Sequence, residues 1–299
     1  MSGLRVSVAR DGVSLGRALP GGCPDAKSSD FPLRTMAAIA SVPFARECSA
    51  VERPMRPRLS LVDPRLRQNR LLRMLPDEAW ERISPHLQLQ EFLPGTVLEE
   101  PGMTPTHVYF PTDAIVSLLH VTNDGAASEV ARVGFEGLVG ISIFLGGDGT
   151  SSRAVVQGGG HAFRVRSNVM KDAFERSGPV QRLLLRYTQS LLTQMAQTAV
   201  CNRRHSVRQQ LCRFLLLSLD RMPGNELSTT HERIAGMLGV RREGITEAAG
   251  HLQQAKFISY RRGHITVLDR SGLESRVCEC YTVVKKEYDR LLCDERNRR

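Results

Sequence analysis

Between Leu87 and Arg166 apolar and polar positions come in short runs, LQLQEFLPGTVLEEPG, HVYFPTDAIVSLLHVTNDG, SEVARVGFEGLVG and RAVVQGGGHAFRVR. The runs are rich in β-branched and aromatic residues, and the PG, NDG and GGG between them are turn-forming, because glycine tolerates positive φ and proline presets it. Val116, Leu118 and His120 alternate with a period of two, as on one face of a strand. The spacing predicts a small antiparallel barrel or roll. Ahead of it, NRLLRMLPDEAWERI sets Leu71, Leu72, Leu75, Trp80 and Ile83 at helical intervals and predicts a short helical lead-in broken at Pro76. From Val169 to Cys201 the period becomes helical, with Leu184, Tyr187, Leu191, Met195 and Thr198 on one stripe. Such a stripe faces either the protein's own core or the seam of a dimer, and spacing alone does not choose. Residues 1 to 66 show no sustained period and are rich in Ser, Gly, Pro and Arg, so a disordered extension is expected there.

The densest pattern is HERIAGMLGVRREGITEAAGHLQ, His231 to Gln253. Two short helices that cross steeply need a small residue at the crossing, a turn residue tolerant of positive φ, and apolar side chains at fixed inward offsets. Ala235 supplies the first, Gly239 the second, and Ile234, Leu238, Val240, Ile245 and Ala248 the third. A plain helical hairpin shares the apolar period but not the special positions, so a DNA-binding helix-turn-helix is the better reading. FISYRRGHITVLD follows as two short strands around Arg262 and Gly263, a wing with Arg261, Arg262 and His264 near its tip to meet phosphates.

On a helical wheel Ile245, Ala248, Ala249 and Leu252 turn inward, leaving Glu243, Thr246, Glu247 and Gly250 outward with Arg242 on the flank. Arginine can pair with guanine, glutamate can accept from cytosine, and threonine can touch a thymine methyl, which makes these the base-reading candidates. Glutamate near phosphate needs a donor, and Arg241 or Arg242 is expected to steady Glu243.

Charge sharpens this picture. Residues 1 to 66 carry ten basic and six acidic side chains, residues 67 to 200 twelve and thirteen, and residues 201 to 270 twelve and six, so the excess sits in two places, the N-terminal extension and the segment that holds the helix-turn-helix. One module is suited to a polyanion and the other is not. No apolar run reaches bilayer length, and AAIASVPFA is too thin for a signal-peptide core, so a cytoplasmic protein without membrane contact is expected. The seven cysteines are odd in number and lack a CxxC pair, which favours reduced thiols. Cys278 and Cys280, two apart in VCECYTVVKKEYDRLL, would diverge on a helix whose apolar stripe is Leu273, Val277, Tyr281, Val284 and Tyr288, so no metal site is expected from them.

From about Asn69 to Asp269 the chain resembles the Crp/Fnr family of bacterial transcription regulators, in its glycine-punctuated β region, its long helix and GMLGVRREGITEAAGHLQQAKFIS leading into the wing. The resemblance implies an α+β fold: an N-terminal antiparallel β-roll of the cyclic-nucleotide-binding-like jelly-roll kind, a long dimerisation helix, and a C-terminal winged helix-turn-helix. It divides the chain into a disordered extension over 1–66, the roll over 67–168, the dimerisation helix and hinge over 169–203, the DNA-binding domain over 204–270 and a C-terminal helix over 271–299. The implied partners are double-stranded DNA with a near-palindromic site, a second copy of the chain and, for an activator, RNA polymerase. Arg242 and Glu243 match the start of the recognition helix in catabolite-activator-like members, and Glu243 and Thr246 fit the Fnr-like pattern, but Glu247 departs from both, so a different half-site is implied. Fnr-like iron-sulfur sensing needs an N-terminal cysteine cluster, and only Cys23 and Cys48 precede the roll, so no cluster is expected.

In nucleotide-binding relatives a glutamate holds the ribose and an arginine the phosphate. Glu136 and Arg153 resemble that pair, or Ser152 takes the arginine's place if the strand is drawn one residue over. Phe135 replaces the expected glycine and the loop between them is long, so a cyclic nucleotide is not the favoured effector and the effector stays open. Two other readings compete: a cyclic-nucleotide sensor that works through protein contacts, opposed by residues 231–267, and a cupin-like metalloenzyme, opposed by the isolation of His107, His120 and His161.

Overall fold

The computed structural model describes residues 63–147 and 149–292. The extension expected to be disordered, together with Cys23, Cys48 and Cys293, lies outside the described residues apart from residues 63–66. Those four belong to the body. Asp63 caps a single 3-10 turn, Pro64–Arg67, and Leu66 is buried, so the folded chain begins ahead of the expected boundary at 67.

Two short helices lead in, α1 (Arg70–Met74) and α2 (Asp77–Ile83), separated at Pro76. Asn69 anchors them: its Oδ1 accepts from the amides of Leu71 and Leu72, while its Nδ2 donates to Pro111 O and Gly137 O, both at 2.9 Å. A buried amide with all its partners fixes where this lead-in docks on the β region.

The β region is a two-sheet roll. β1 (Gln88–Phe92), β7 (Gly160–Arg166) and β3 (His107–Pro111) form one antiparallel sheet in the order β1-β7-β3. β2 (Val97–Glu99), β6 (Arg153–Gly158), β4 (Ile115–Val121) and β5 (Ala127–Val133) form the other in the order β2-β6-β4-β5. The expected alternation along Val116, Leu118 and His120 fails at its end: the first two are buried and His120 is exposed. The β4–β5 register shifts between Leu118 and Leu119, and such a bulge changes the faces of the residues beyond it. Ser117, between them, is buried as well; its Oγ donates to Glu129 and lies 4.0 Å from Met237 Sδ of the C-terminal domain.

The helical stretch after the roll is two helices, α3 (Ser167–Arg176) and α4 (Gly178–Arg204). Ser177 is extended, and Pro179 in the first turn of α4 suits a helix start while it would break a helix interior. The stripe read as a dimer seam faces inward: Leu184, Tyr187, Leu191 and Thr198 are buried in the protomer's own core and Met195 packs beside them. The face of α4 that is left open carries Leu185, Leu192 and Ala199 at seven-residue spacing, with Ala196 and Val200 alongside. Leu192 is 59% exposed, a large apolar surface to leave in water.

Beyond α4 come α5 (Val207–Leu219), β8 (Glu226–Ser228), α6 (His231–Leu238), α7 (Arg242–Gln254), β9 (Ile258–Arg261), β10 (His264–Val267), α8 (Arg270–Glu274) and α9 (Glu279–Leu291). The C-terminal helix therefore begins after Cys278, which is its N-cap with extended backbone, so the wheel that set Cys278 and Cys280 apart does not apply. No helix among the described residues is long and apolar enough to cross a membrane.

Candidate nucleic-acid interface

The helix-turn-helix forms from its special residues. Thr230 caps α6, its Oγ1 accepting from the Arg233 amide. Gly239 ends α6 with φ 65°, the left-handed region where a side chain costs energy, and this redirects the chain into α7. Ile234, Ala235, Leu238, Ile245, Ala248, Ala249 and Leu252 are buried together, each large one contributing roughly 1.5–3 kcal/mol. That burial leaves Arg241, Arg242, Glu243, Thr246, Glu247 and Gly250 on the exposed side of α7 and its N-cap.

The partners of this face differ in part from expectation. Arg242 reaches Glu232 of α6 at 3.8 Å rather than steadying Glu243. Glu247 lies 3.7 Å from His251, one turn on. Thr246 Oγ1 donates to Arg242 O at 3.1 Å and lies 3.2 Å from His231 Nδ1. His231 stacks on Tyr260 of the wing with ring centroids 4.1 Å apart, and burial with the nearby Arg242 guanidinium holds its imidazole below the usual histidine range. These contacts lock the start of the recognition helix to the wing.

The wing is a three-stranded sheet in the order β8-β10-β9, of which β8 escaped the pattern because three residues carry little period. Arg262 and Gly263 form its two-residue turn, both with positive φ, as tight hairpins require. Arg261 and Arg262 are exposed there. His264 is not a free tip residue: it starts β10 with its Nδ1 3.0 Å from Glu226 Oε1 and 3.2 Å from Ser228 Oγ, both on β8.

The two sides of the expected effector pocket do not come together. Val116 of β4 pairs with Val133 at the end of β5, while Leu119 pairs with Arg153 at the start of β6. Arg153 and the corner that holds Glu136 thus sit on opposite flanks of β4 and about 10 Å apart along it. Arg153 is partly exposed and bonds Glu100 at 2.8 Å, and Ser152 lies in the turn before it. Glu136 is only 7% exposed, and its Oε1 accepts from Arg221 Nε at 2.6 Å.

That bond links the roll to the C-terminal domain, and sequence spacing carries no sign of it. Arg221, just past α5, also donates to Leu217 O at 2.9 Å and to Gln194 Oε1 of α4 at 3.1 Å. A second buried arginine repeats the theme: Arg132 of β5 pairs with Glu129, donates to Phe214 O at 3.3 Å and to Ser218 Oγ, and lies 4.1 Å over the Phe214 ring. The glycines of GFEG make room for this. A Cβ at Gly137 would stand 2.5 Å from the Tyr187 ring, whose hydroxyl donates to Leu138 O. Histidines 107, 120 and 161 sit on different strands and, among the described residues, enter no group of three ligating side chains.

A helix-turn-helix with an exposed second helix and an adjoining three-stranded wing defines a winged-helix DNA-binding module, preceded here by a β-roll and a long helix. Residues 209–276 match the model of the Crp-like helix-turn-helix domain. Among solved structures, the chain is similar to a protein from Eubacterium rectale assigned to the crp/fnr family of transcriptional regulators, with TM-score 0.56 and 21% identity over 69% of this chain and 96% of that one. It is also similar to FixK2 from Bradyrhizobium japonicum, with TM-score 0.55 and 15% identity over 64% and 98%. A third is the c-di-GMP responsive global regulator CLP of Xanthomonas campestris, with TM-score 0.51 and 17% identity over 64% and 99%. No curated protein matches by sequence. The C-terminal domain thus belongs with the Crp-like helix-turn-helix proteins, and the described fold is that of the Crp/Fnr regulators.

Proposed function

We propose that the protein is a sequence-specific transcription regulator that binds a near-palindromic DNA site as a homodimer and is not an enzyme. The observation that carries this reading is the exposed face of α7, from Arg242 to Gly250, flanked by Arg261 and Arg262 of the wing. Base-edge donors and acceptors on the helix, with cations on a hairpin beside it, match a major groove and its adjacent backbone. Dimerisation runs along the open face of α4 through Leu185, Leu192, Ala196, Ala199 and Val200, rather than through the buried stripe of Leu184, Tyr187, Leu191 and Thr198. Heptad spacing of small and large apolar residues suits two parallel helices. The working division is a sensor roll over 67–168, dimerisation helices and hinge over 169–203, the winged helix over 204–270 and a closing segment from 271 on that holds α9, with residues 63–66 added to the roll.

The roll is the sensor by position, and its effector is not a cyclic nucleotide held by Glu136 and Arg153, because Glu136 is committed to Arg221. RNA polymerase is a further partner if the protein activates. Fluorescence anisotropy with DNA from the protein's own upstream region tests the function. Specific binding that weakens with salt and falls by about 1–3 kcal/mol in Arg242→Ala supports it. Binding that is indifferent to sequence, and equal in wild type and Arg242→Ala, would sink it.

A further inference from the structure

Four side chains with metal-binding donor atoms meet where the end of α4 faces the start of α9. Cys201 lies in the last turns of α4 and His205 is its C-cap, so the two are four residues apart on one side of the helix. Cys278 is the N-cap of α9 and Cys280 lies in its first turn. Their sulfur and ring-nitrogen atoms are all within 4.8 Å of one another. Cys201 Sγ and Cys278 Sγ are 3.6 Å apart, and Cys280 Sγ is 3.5 Å from His205 Nδ1. The three thiols are buried against each other as a cluster of their own, whereas Cys212 is an ordinary member of the apolar core.

Three distances decide what this cluster suits. Zinc bonds thiolate at about 2.3 Å and imidazole at about 2.0–2.1 Å in tetrahedral sites, so neighbouring ligand atoms stand roughly 3.5–3.8 Å apart. The observed 3.6 and 3.5 Å match that edge. A disulfide needs its sulfurs at about 2.05 Å and would leave the third thiol and the imidazole without a role. The third distance concerns the far nitrogen of His205: Nε2 lies 3.3 Å from Glu279 Oε1. A ligating histidine characteristically donates its other N–H to a carboxylate, and that carboxylate stands here between the two cysteines of CEC. Gln210 Nε2 donates to His205 O at 2.9 Å and holds the cap in place. The buried guanidinium of Arg213 acts electrostatically on Cys201 and Cys280 and offsets the negative charge that thiolates bring.

We propose that Cys201, His205, Cys278 and Cys280 form a Cys3His site for one thiolate-preferring divalent cation, zinc foremost. Binding releases the three thiol protons to solvent and leaves a neutral imidazole bonded through Nδ1, so the site carries one net negative charge. It fastens the junction between α4 and α5 to the helix that closes the described chain, and it does not depend on the DNA-binding reading. Sequence spacing hid it because each half, C-x3-H and C-x-C, is too small to signal alone, and seventy-odd residues separate them.

The test uses the full chain, purified under reducing conditions, stripped with chelator and titrated with Co2+ and then Zn2+. The expected result is about one cation per chain, with thiolate-to-cobalt charge-transfer bands and the intense visible bands of a tetrahedral site. Cys212→Ser should keep them and Cys278→Ser should lose them while circular dichroism stays native. Glu279→Gln keeps all four ligands and should bind Co2+ about 10–100-fold more weakly, which decides the matter even if Cys278→Ser fails to fold. Absence of thiolate-to-cobalt bands in the wild-type chain would overturn the proposal. So would a Cys201–Cys278 disulfide in peptides mapped from unreduced protein, or Glu279→Gln affinity equal to wild type.

Discussion

Arg221 is the residue at which the role of Glu136 can be decided by a stability measurement. Its guanidinium makes three hydrogen bonds, to Glu136, Leu217 O and Gln194, and is almost wholly buried, as is the Glu136 carboxylate. Glu136 Oε2 has no partner, so Arg221 and the Gly134 amide are all that compensate the charge. Arg221→Met leaves that carboxylate buried and unpaired, which costs about 3–5 kcal/mol. Glu136→Gln leaves the guanidinium with only neutral acceptors, at about 3 kcal/mol. With both charges gone the interior holds neutral groups of similar volume, and the double variant should lose no more than about 2 kcal/mol. The predicted coupling is therefore at least about 4 kcal/mol, against a total stability on the order of 10 kcal/mol. Urea unfolding followed by the fluorescence of Trp80, the single tryptophan, measures it without the ionic screening of guanidinium salts. Losses that add within about 0.5 kcal/mol would refute the pairing and return Glu136 to the ligand reading, under which its removal alters effector affinity and leaves stability alone.

Other perturbations test separate parts. Leu192→Glu places a charge on the open face of α4 and should convert a dimer to monomer in sedimentation, whereas Leu191→Glu should unfold the protomer, because Leu191 is buried. Gly137→Ala sets a methyl 2.5 Å from the Tyr187 ring and should cost on the order of 2 kcal/mol in thermal or urea unfolding. Burial lifts the Glu99 carboxyl to about 7, and its Oε1 has no hydrogen-bond partner. The folded state then holds the proton more tightly than the unfolded chain between about pH 4.5 and 7, so stability present near pH 5 is lost as pH rises through 7. Partial exposure trims the loss to ~1–2 kcal/mol, and Glu99→Gln should flatten the pH profile of the urea midpoint. Arg262→Ala, at the wing turn, should lower DNA affinity evenly across sequences and reduce the salt slope by about one.

What could be read in the sequence was what is local. The helix-turn-helix was legible because Ala235, Gly239 and the apolar offsets lie within one short stretch and each answers a local steric demand. The roll was legible as turns and short runs, but not the bulge at Leu118, nor the contact of Ser117 with Met237, which lies in a domain far along the chain. On α4 the apolar stripe is legible in the sequence, but not which of its two possible roles it fills; burial assigns it to the core. The chain's own core takes the fullest stripe, and the sparser face where Leu185 and Leu192 recur is left exposed, the face proposed above for pairing. Glu136 was noticed for its neighbours in sequence, yet its partner is Arg221, across 85 positions, and no period marks such a pair. The single C-terminal helix expected over 271–299 is broken between α8 and α9, and this break places Cys278 at an extended N-cap and redirects its side chain.

The inner and outer faces of α4 together indicate how a signal in the roll could reach DNA. On the inner face Tyr187 donates to Leu138 O, and Gln194 donates to Arg132 O while accepting from Arg221; one turn on, Thr198 accepts from Arg213. The helix is therefore hydrogen-bonded to the roll through Leu138 and Arg132 and to the α5 region through Arg221 and Arg213. Its outer face is the apolar surface proposed for pairing with a second copy. A rotation of α4 could not change one set of contacts without changing the other, since all are carried on a single rigid element. Gln194 is the narrowest point of this arrangement, because one side-chain amide serves both domains, and it cannot keep both bonds if the roll and α5 separate. Under the proposed sensing role, a signal in the roll must break and remake these buried polar contacts, which favours two discrete states over a continuous flexing.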